Sequence, residues 1–378
     1  MTASASEQLR LALDATPLLG ARTGVGAFTS AILDGLASRS EMRVTAYGVT
    51  WRGRRDLAGR VPAGVDVCRR PMAARPLRWA WERADVPPLE WWTGPVDVVH
   101  GTNFVVPPTA GAAAVVSVHD LTSLHYPELC DAATLAYTSL LRRALARGAW
   151  VHAVSRFVAD EVVTHLGADP ERVVAIHSGI PPVAPASAGD GRRLAGAERY
   201  VLALGTVEPR KDLPLLVRAF DAVAGDRPAV RLVIAGPDGW GSEALREAMH
   251  VAHHRHRIVR LGWVDEEQRS GLLAGAAVLA YPSRYEGFGF PPLEAMAAGV
   301  PVVATTAGAL PEVLGDAATL VSAGDVDSLA SALDGLLDDD ALREAHVQAG
   351  LRRVQAYDWD RTTDAMVDLY RQAVTAHH

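Results

Sequence analysis

The chain has 378 residues, 49% of them hydrophobic and 21% charged, with a formal net charge of −7. That length exceeds one ordinary core and suits two domains, and the acidic balance supplies no basic footprint for nucleic acid. Two cysteines, Cys68 and Cys130, are too few for a disulfide framework or a cysteine-rich metal knot.

The first seven residues are polar and lack the apolar centre of a signal peptide. The longest apolar run, over 112–118, falls far short of the roughly 18 residues that span a bilayer. A cytoplasmic protein is therefore expected. Short basic clusters at 52–55 and 69–70 leave peripheral contact with anionic lipid at the inner membrane face open, beside the plainer reading of a solvated surface. The aromatic region 79–92 admits an acceptor groove, a membrane-touching face or ordinary core packing.

Apolar runs alternate with amphipathic stretches along the whole chain. Residues 9–13 read as a buried strand, followed by a long loop from Asp14 that opens a helix over 27–36. Gly24 and Gly26 let backbone N–H groups approach an anion or a sugar at that helix start, a donor-binding role. A dinucleotide-binding loop is the rival. It is disfavoured because the loop is long, its third glycine is absent and no acidic residue ends the next strand, 44–49.

A strand over 96–99 leads into His100-Gly-Thr-Asn103, where Thr102 and Asn103 could bond an acceptor's hydroxyls or simply make a turn. The apolar run ending at Val118 leads into His119-Asp120, which places an imidazole at a strand's carboxyl end, where such folds bind ligands. His125-Tyr-Pro-Glu128 could shape the same pocket. A helix over 133–147 and a strand over 150–154 follow. Residues 181–191, rich in Pro, Gly and small side chains, read as an interdomain linker that cannot continue a helix.

The second half repeats the pattern, with strands at 200–204, 231–235, 277–281 and 300–304 and helices over 213–223 and 242–254. Gly205-Thr-Val-Glu-Pro-Arg210-Lys211-Asp212 follows the first of these strands. Basic charge there is unfavourable to the next helix's dipole, so an anionic ligand is a good reason for Arg210 and Lys211. After strand 277–281 comes Glu286-Gly-Phe-Gly-Phe-Pro-Pro-Leu-Glu294. Gly287 and Gly289 make a turn whose amides can face a ligand, and Pro291 and Pro292 suit a helix start. Carboxylates pair well with vicinal hydroxyls. Glu294 in a first helical turn could merely complement the dipole, which does not explain Glu286. Asp338-Asp-Asp340 reads as a solvated turn, and a last helix is expected over 361–374.

Strand–helix alternation argues for parallel sheets covered on both faces, in two doubly wound halves. The expected domains are 1–185, with 361–378 packing back on it, and 192–360. Taken together, the segments resemble retaining glycosyltransferases of the GT-B fold, most closely family 4, over nearly the whole chain. The family's Glu-x7-Glu pattern matches Glu286 and Glu294; the loop Gly205 to Lys211 is similar to its phosphate loop, and Val118-His-Asp120 to its cleft histidine.

That resemblance implies an α/β architecture of two Rossmann-like domains facing across a cleft, with the C-terminal helix crossing back to the first. It implies a nucleotide-sugar donor in the second domain and a hydroxyl-bearing acceptor in the first, with neither cofactor nor metal. Glu286 would hold donor-sugar hydroxyls and Glu294 the ribose. Amides of Gly287, Phe288, Gly289 and Phe290 would face the sugar or diphosphate, and Val264, in Gly262-Trp-Val-Asp265, would lie beside the nucleobase. His119, Arg210, Lys211 and Glu286 would act at the reacting centre. Thr206 stands where many relatives carry an Arg. The Glu-Pro-Arg-Lys form looks like that of bacterial mannosyl- and rhamnosyl-type transferases and points to a GDP-mannose-like donor. A nucleotide-sugar epimerase of the same fold, an NAD-dependent oxidoreductase and a non-catalytic sugar-nucleotide binder are the alternatives.

Overall fold

A computed structural model describes residues 8–20, 24–130, 132–181 and 186–377. It contains two parallel sheets. The first holds β1 (Leu9–Asp14), β2 (Met42–Tyr47), β3 (Asp66–Val67), β4 (Val98–Gly101), β5 (Ala113–Val118), β6 (Trp150–Ala153) and β7 (Val173–Ala175), in the order β3-β2-β1-β4-β5-β6-β7. The second holds β8 (Arg199–Leu204), β9 (Val230–Ala235), β10 (Ile258–Gly262), β11 (Val278–Tyr281), β12 (Val302–Thr305) and β13 (Thr319–Val321), in the order β10-β9-β8-β11-β12-β13. The expectation of two parallel-strand Rossmann-like sheets is met. Their central strands are largely apolar because helices cover both faces: Leu11, Ala12, Leu13, Val98 and Val99 are fully buried in one sheet, Val201, Leu202, Val278 and Leu279 in the other.

In each sheet the strand order reverses beside the first strand, between β1 and β4 and between β8 and β11. Loops leaving the carboxyl ends of those pairs diverge to opposite faces and open a crevice. The topology therefore brings the loop after Asp14 to the loop after Gly101. It likewise brings the loop after Leu204 to the loop after Tyr281.

The chain divides into two compact units. One runs to Gly179 and resumes at Asp358; the other is Ile180–Tyr357. The last helix, Trp359–His377, belongs to the first unit, where Met366, Leu369 and Tyr370 are buried. Gly35 makes room for it: a Cβ there would meet Thr363 Oγ1 at 2.2 Å.

Tyr370 also ends a fully buried polar chain. Its hydroxyl lies 2.8 Å from His100 Nδ1, His100 Nε2 lies 2.8 Å from Ser117 Oγ, and Ser117 Oγ lies 2.8 Å from His152 Nδ1. His152 Nε2 lies 3.0 Å from the Ile176 carbonyl, which can only accept. Every proton is fixed by that end. His152 Nε2–H donates to Ile176, so Nδ1 accepts from Ser117, whose oxygen accepts from His100 Nε2–H, whose Nδ1 accepts from Tyr370. The run ties β4, β5 and β6 to the last helix through neutral imidazoles.

Two expectations are corrected by local packing. Residues 182–185 of the proposed linker lie outside the described residues, but its end does not break a helix. Ala188–Ala195 is helical, and Gly191 and Gly271 press it against helix Glu266–Gly275, where a Cβ on Gly191 would meet the Gly271 carbonyl oxygen at 2.0 Å. The glycine serves close approach, not termination. Asp338-Asp-Asp340 is not merely solvated either. Asp338 pairs with Arg227, Asp340 pairs with Arg343, and Asp339 caps helix Asp340–Arg353 by accepting from Leu342 N.

Candidate functional site

In the second unit the crevice is lined by charge. Pro209–Lys211 forms one 3-10 turn after β8, and Asp212, at φ 43°, hands the chain into helix Leu213–Ala224. This sets Arg210 and Lys211 against the segment after β11. Glu286 is 7% exposed, and its Oε1 lies 2.9 Å from Arg210 Nη1 and 3.6 Å from Lys211 Nζ. The same oxygen accepts from the Ser283 and Tyr281 hydroxyls, each at 2.9 Å. Lys211 Nζ donates to Tyr281 Oη at 3.0 Å and sits 4.9 Å from that ring's centre. Arg210 Nε reaches Glu208 Oε2 at 2.8 Å.

The protonation states follow. Burial pushes the Glu286 carboxyl up, but Arg210, then Lys211, then the Ser283 and Tyr281 hydroxyls outweigh it and hold it at about 2. Burial alone would lower the Lys211 ammonium; Tyr281 and Glu286 more than offset this and raise it. Tyr281 is pushed to about 12 by burial and by Glu286. At neutral pH the cluster is a carboxylate between two cations.

Glycines shape it. Gly205 adopts φ 132° and lies under Lys211, whose Nζ would be 3.0 Å from a Cβ. Gly308, at φ 59°, lets the next turn close on the Glu286 backbone: Ala309 N donates to the Glu286 carbonyl at 2.9 Å, and a Cβ on Gly308 would strike that oxygen at 2.2 Å.

Helix Phe290–Ala297 starts after Gly289, at φ 104°. Glu294 is therefore its fifth residue, beyond the first turn where it was expected. The dipole explanation weakens accordingly, since that effect fades within one turn. Glu294 is paired instead with Arg269, from helix Glu266–Gly275. That helix begins where Asp265 caps it, next to half-buried Val264. Arg269 thus links the expected nucleobase loop to the expected ribose carboxylate. The Phe288 ring packs against Phe290 and Tyr357, with centroids at 5.1 and 5.7 Å, so that residue has only its backbone to offer a ligand.

In the first unit, Gly24 and Gly26 fall in the first turn of helix Gly24–Ala37, and Gly26 is buried; residues 21–23 before them lie outside the described residues. They belong to a different unit from the other expected donor contacts. The Thr102 hydroxyl, expected to meet an acceptor, is corrected: it is fully buried and donates to the Asp14 carbonyl at 2.7 Å, clamping the two crevice loops together.

Asn103 stays partly exposed at the head of an unusual turn. Val105 N donates to the Asn103 carbonyl at 2.7 Å across Phe104, which is held at φ 59°. Such a γ-turn is rare and strained for a bulky residue. Gly101 permits it, because a Cβ there would meet the Val105 carbonyl oxygen at 1.9 Å. The Phe104 ring stacks on Tyr137 at 5.6 Å and meets the His119 ring edge-on at 5.9 Å. His119 Nε2–H donates to the Thr102 carbonyl at 2.8 Å. Burial lowers the His119 imidazole, against that bond and Asp120, so it stays neutral with Nδ1 as acceptor. Among the described residues one group has metal-ligand chemistry, His125, Glu161 and His165, with His125 Nε2 2.7 Å from Glu161 Oε1. Sequence reading named only His125 of the three.

A parallel doubly wound pair with a cationic crevice and an Arg-Lys-Glu cluster matches known transferases. A model of group 1 glycosyl transferases matches residues 198–339, and one of Glycosyltransferase Family 4 matches residues 22–183. The chain is 30% identical over 304 residues to the O-antigen chain mannosyltransferase B of Escherichia coli, covering 78% of this chain and 77% of that one. It is 32% identical over 244 residues to the D-inositol 3-phosphate glycosyltransferase of Streptomyces avermitilis, spanning about half of that protein (51%) and 58% of this chain.

Among solved structures it resembles WaaG, a glycosyltransferase involved in lipopolysaccharide biosynthesis (TM-score 0.72, 19% identity, 96% of this chain and 99% of that one). It also resembles Anabaena HepE in complex with UDP-glucose (TM-score 0.71, 18% identity, 97% and 100%). The chain has the GT-B glycosyltransferase fold. It belongs to glycosyltransferase family 4, and its relatives give no support to an epimerase or an oxidoreductase.

Proposed function

We propose that the protein moves a hexosyl group, mannosyl-like, from a nucleotide-diphosphate sugar to a hydroxyl of a saccharide, lipid-linked or small-molecule acceptor, with retention and without a metal. The observation that carries this is the meeting of Arg210, Lys211 and Glu286 at the switch point of the second sheet. A buried lysine and a half-buried arginine on one carboxylate form an anion site in waiting. A diphosphate competes for Arg210 and Lys211, while Glu286, anchored through Oε1, offers Oε2 to sugar hydroxyls. Glu294 takes the ribose, with Arg269 fixing its orientation. Amides of Gly287–Phe290 and Val264 complete the donor contacts within the second unit.

In a front-face substitution the acceptor oxygen attacks beside the departing diphosphate, which takes the proton itself. The protein then needs only to position the partners and stabilise charge, through Arg210 and Lys211 on the leaving group and His119 near the sugar. The mannosyltransferase relative supports a GDP-mannose-like donor, and the UDP-glucose complex of HepE marks the main rival. GDP-mannose is expected to raise Tm more than UDP-glucose, dTDP-rhamnose or ADP-glucose. A larger shift with UDP-glucose overturns the donor assignment, and no shift with any of them overturns the transferase reading.

Peripheral membrane contact rests on a separate observation. Trp51, Trp79 and Trp91 are 59%, 61% and 65% exposed. Met72 N bonds the Thr50 carbonyl and Arg70 bonds the Trp91 carbonyl, so these stretches are neighbours. Residues 51–92 carry nine arginines and five acidic residues, in a chain of net charge −7. Tryptophans among arginines suit an anionic lipid interface. The protein is expected to sediment with phosphatidylglycerol-containing vesicles, and Trp51→Ala with Trp91→Ala to release it. Equal binding to pure phosphatidylcholine vesicles would count against the charge argument.

A further inference from the structure

Three side chains converge in the first unit from helices that follow neighbouring strands. His125 ends the short helix Thr122–His125, which follows β5, and Glu161 and His165 lie on helix Arg156–Leu166, which follows β6. Glu161 and His165 are spaced i and i+4, so they project from one face of that helix, a turn apart. The helix is firmly closed at both ends: the Ser155 side chain accepts from Val158 N, and Gly167 stops it at φ 67°. One nitrogen of each imidazole and one carboxylate oxygen all lie within 4.8 Å of one another. His125 Nε2 is 2.7 Å from Glu161 Oε1. The two imidazoles stand nearly perpendicular, with ring centres 5.2 Å apart.

We propose that His125, Glu161 and His165 bind a divalent transition-metal ion of the zinc class, as a structural clamp between these two helices. The geometry leaves little to rearrange. Ligands about 2.1 Å from a tetrahedral ion lie about 3.4 Å from each other, and two imidazoles bound to it through nitrogen have ring centres about 5 Å apart. The ring spacing already matches, and His125 and Glu161 need to separate by only about 0.7 Å. The donor set selects the cation: Mg²⁺ and Ca²⁺ take oxygen ligands, whereas Zn²⁺ takes imidazole nitrogen together with a carboxylate. Three protein ligands leave the fourth position to water. Glu161 is 9% exposed, so the ion's attraction for the carboxylate acts in a partly dry place, while exposed His165 gives the ion a way in. An ion pair between Glu161 and a protonated His125 accounts for the short contact alone. It gives His165 no part.

The clamp bears on the segment that carries His119. Asp120 Oδ1 accepts from Thr122 N at the start of the short helix, and Ser123 Oγ lies 2.9 Å from Thr138 Oγ1. An ion at His125 ties this single turn to a longer neighbour. The role is structural, since the three ligands belong to the first unit and Arg210, Lys211 and Glu286 to the second. The inference therefore stands apart from the transferase reading and does not depend on it.

The test uses the full chain without an affinity tag, stripped by a chelator and then dialysed. Isothermal titration is expected to show one equivalent of Zn²⁺ bound. Zn²⁺ at about 100-fold above its Kd should raise Tm by about 5–10 °C, and Mg²⁺ should not. His165→Ala, at an exposed position, and Glu161→Gln, of the same shape, should each weaken Zn²⁺ binding by about 100-fold or more. Should Glu161→Gln fold poorly, His165→Ala decides alone. The competing site is the surface cluster of His253, His254 and His256 in the second unit, where the first two bond Asp221. His253→Ala with His256→Ala should leave the single equivalent unchanged. Wild-type Zn²⁺ affinity in His165→Ala, loss of binding in the His253 and His256 double variant, an equal Tm response to Mg²⁺, or no Zn²⁺ bound by the native chain overturns the proposal.

Discussion

Lys211→Ala is expected to lower turnover by about 10³-fold, with donor affinity much less affected. The proposed reaction builds negative charge on the leaving diphosphate, and a preorganised cation facing that charge acts chiefly in the transition state. Lys211 is pre-placed for this: its side chain is 10% exposed, it lies over Gly205, and Tyr281 and Glu286 fix its ammonium. The variant also leaves Glu286 with Arg210 as its remaining cation. The stability loss should stay below the roughly 3–5 kcal/mol of a buried charge left with no partner.

The two effects can be separated. In Lys211→Ala with Glu286→Gln the buried carboxylate that lost one of its two cations is itself neutralised, so Tm should recover while turnover does not. Steady-state kinetics and melting curves on the wild type and the two variants decide it. Turnover within tenfold of wild type in Lys211→Ala removes the lysine from the diphosphate site.

The strands were legible because each is an apolar run long enough to be buried on both faces. Arg210 and Lys211 stood out because two cations before a helix are locally unfavourable and so call for a partner; the structure supplies one in Glu286. What failed to read were features set by tertiary contact. Asp14 looks in sequence like a residue that opens a loop; only the neighbouring β4 loop, the Thr102 clamp and the strained Phe104 turn give it a pocket.

Arg269 carries no local signal, since it is one charge on a polar helix that meets Glu294 across 25 positions. Residues 181–191 read as a linker that cannot continue a helix, but Gly191 packs a helix close to Gly271. Thr102 was read by residue type as a ligand contact, and its hydroxyl is spent inside. The short strands β3, β7 and β13 have too few residues for a periodic signal.

Acidification should destabilise the first unit through its buried histidines, an effect that the wild type partly conceals. Burial lowers His152 to about 4, against its bond to Ile176, and lowers His100 well below its ordinary value. Unfolded histidine titrates near 6.5, so between pH 6.5 and 4 the unfolded chain binds more protons than the folded one. Stability is full above that window and falls through it, by about 3 kcal/mol for His152 alone.

Asp14 works the other way. Burial raises its folded value to about 6, above the unfolded value, so the folded state gains protons first and is stabilised by a similar amount as pH falls. Glu286, held at about 2, loses its contribution only at lower pH. In Asp14→Asn the opposing contribution is gone. Urea unfolding followed by tryptophan fluorescence should then show a loss of about 3 kcal/mol between pH 7 and 4.5, larger than in the wild type. Seven of the nine tryptophans report on this unit. Adding His152→Gln should flatten the profile again, though at lower stability throughout, because Ser117 loses its acceptor. Equal pH profiles in the wild type and Asp14→Asn would mean that the aspartate is not titrating in the folded chain.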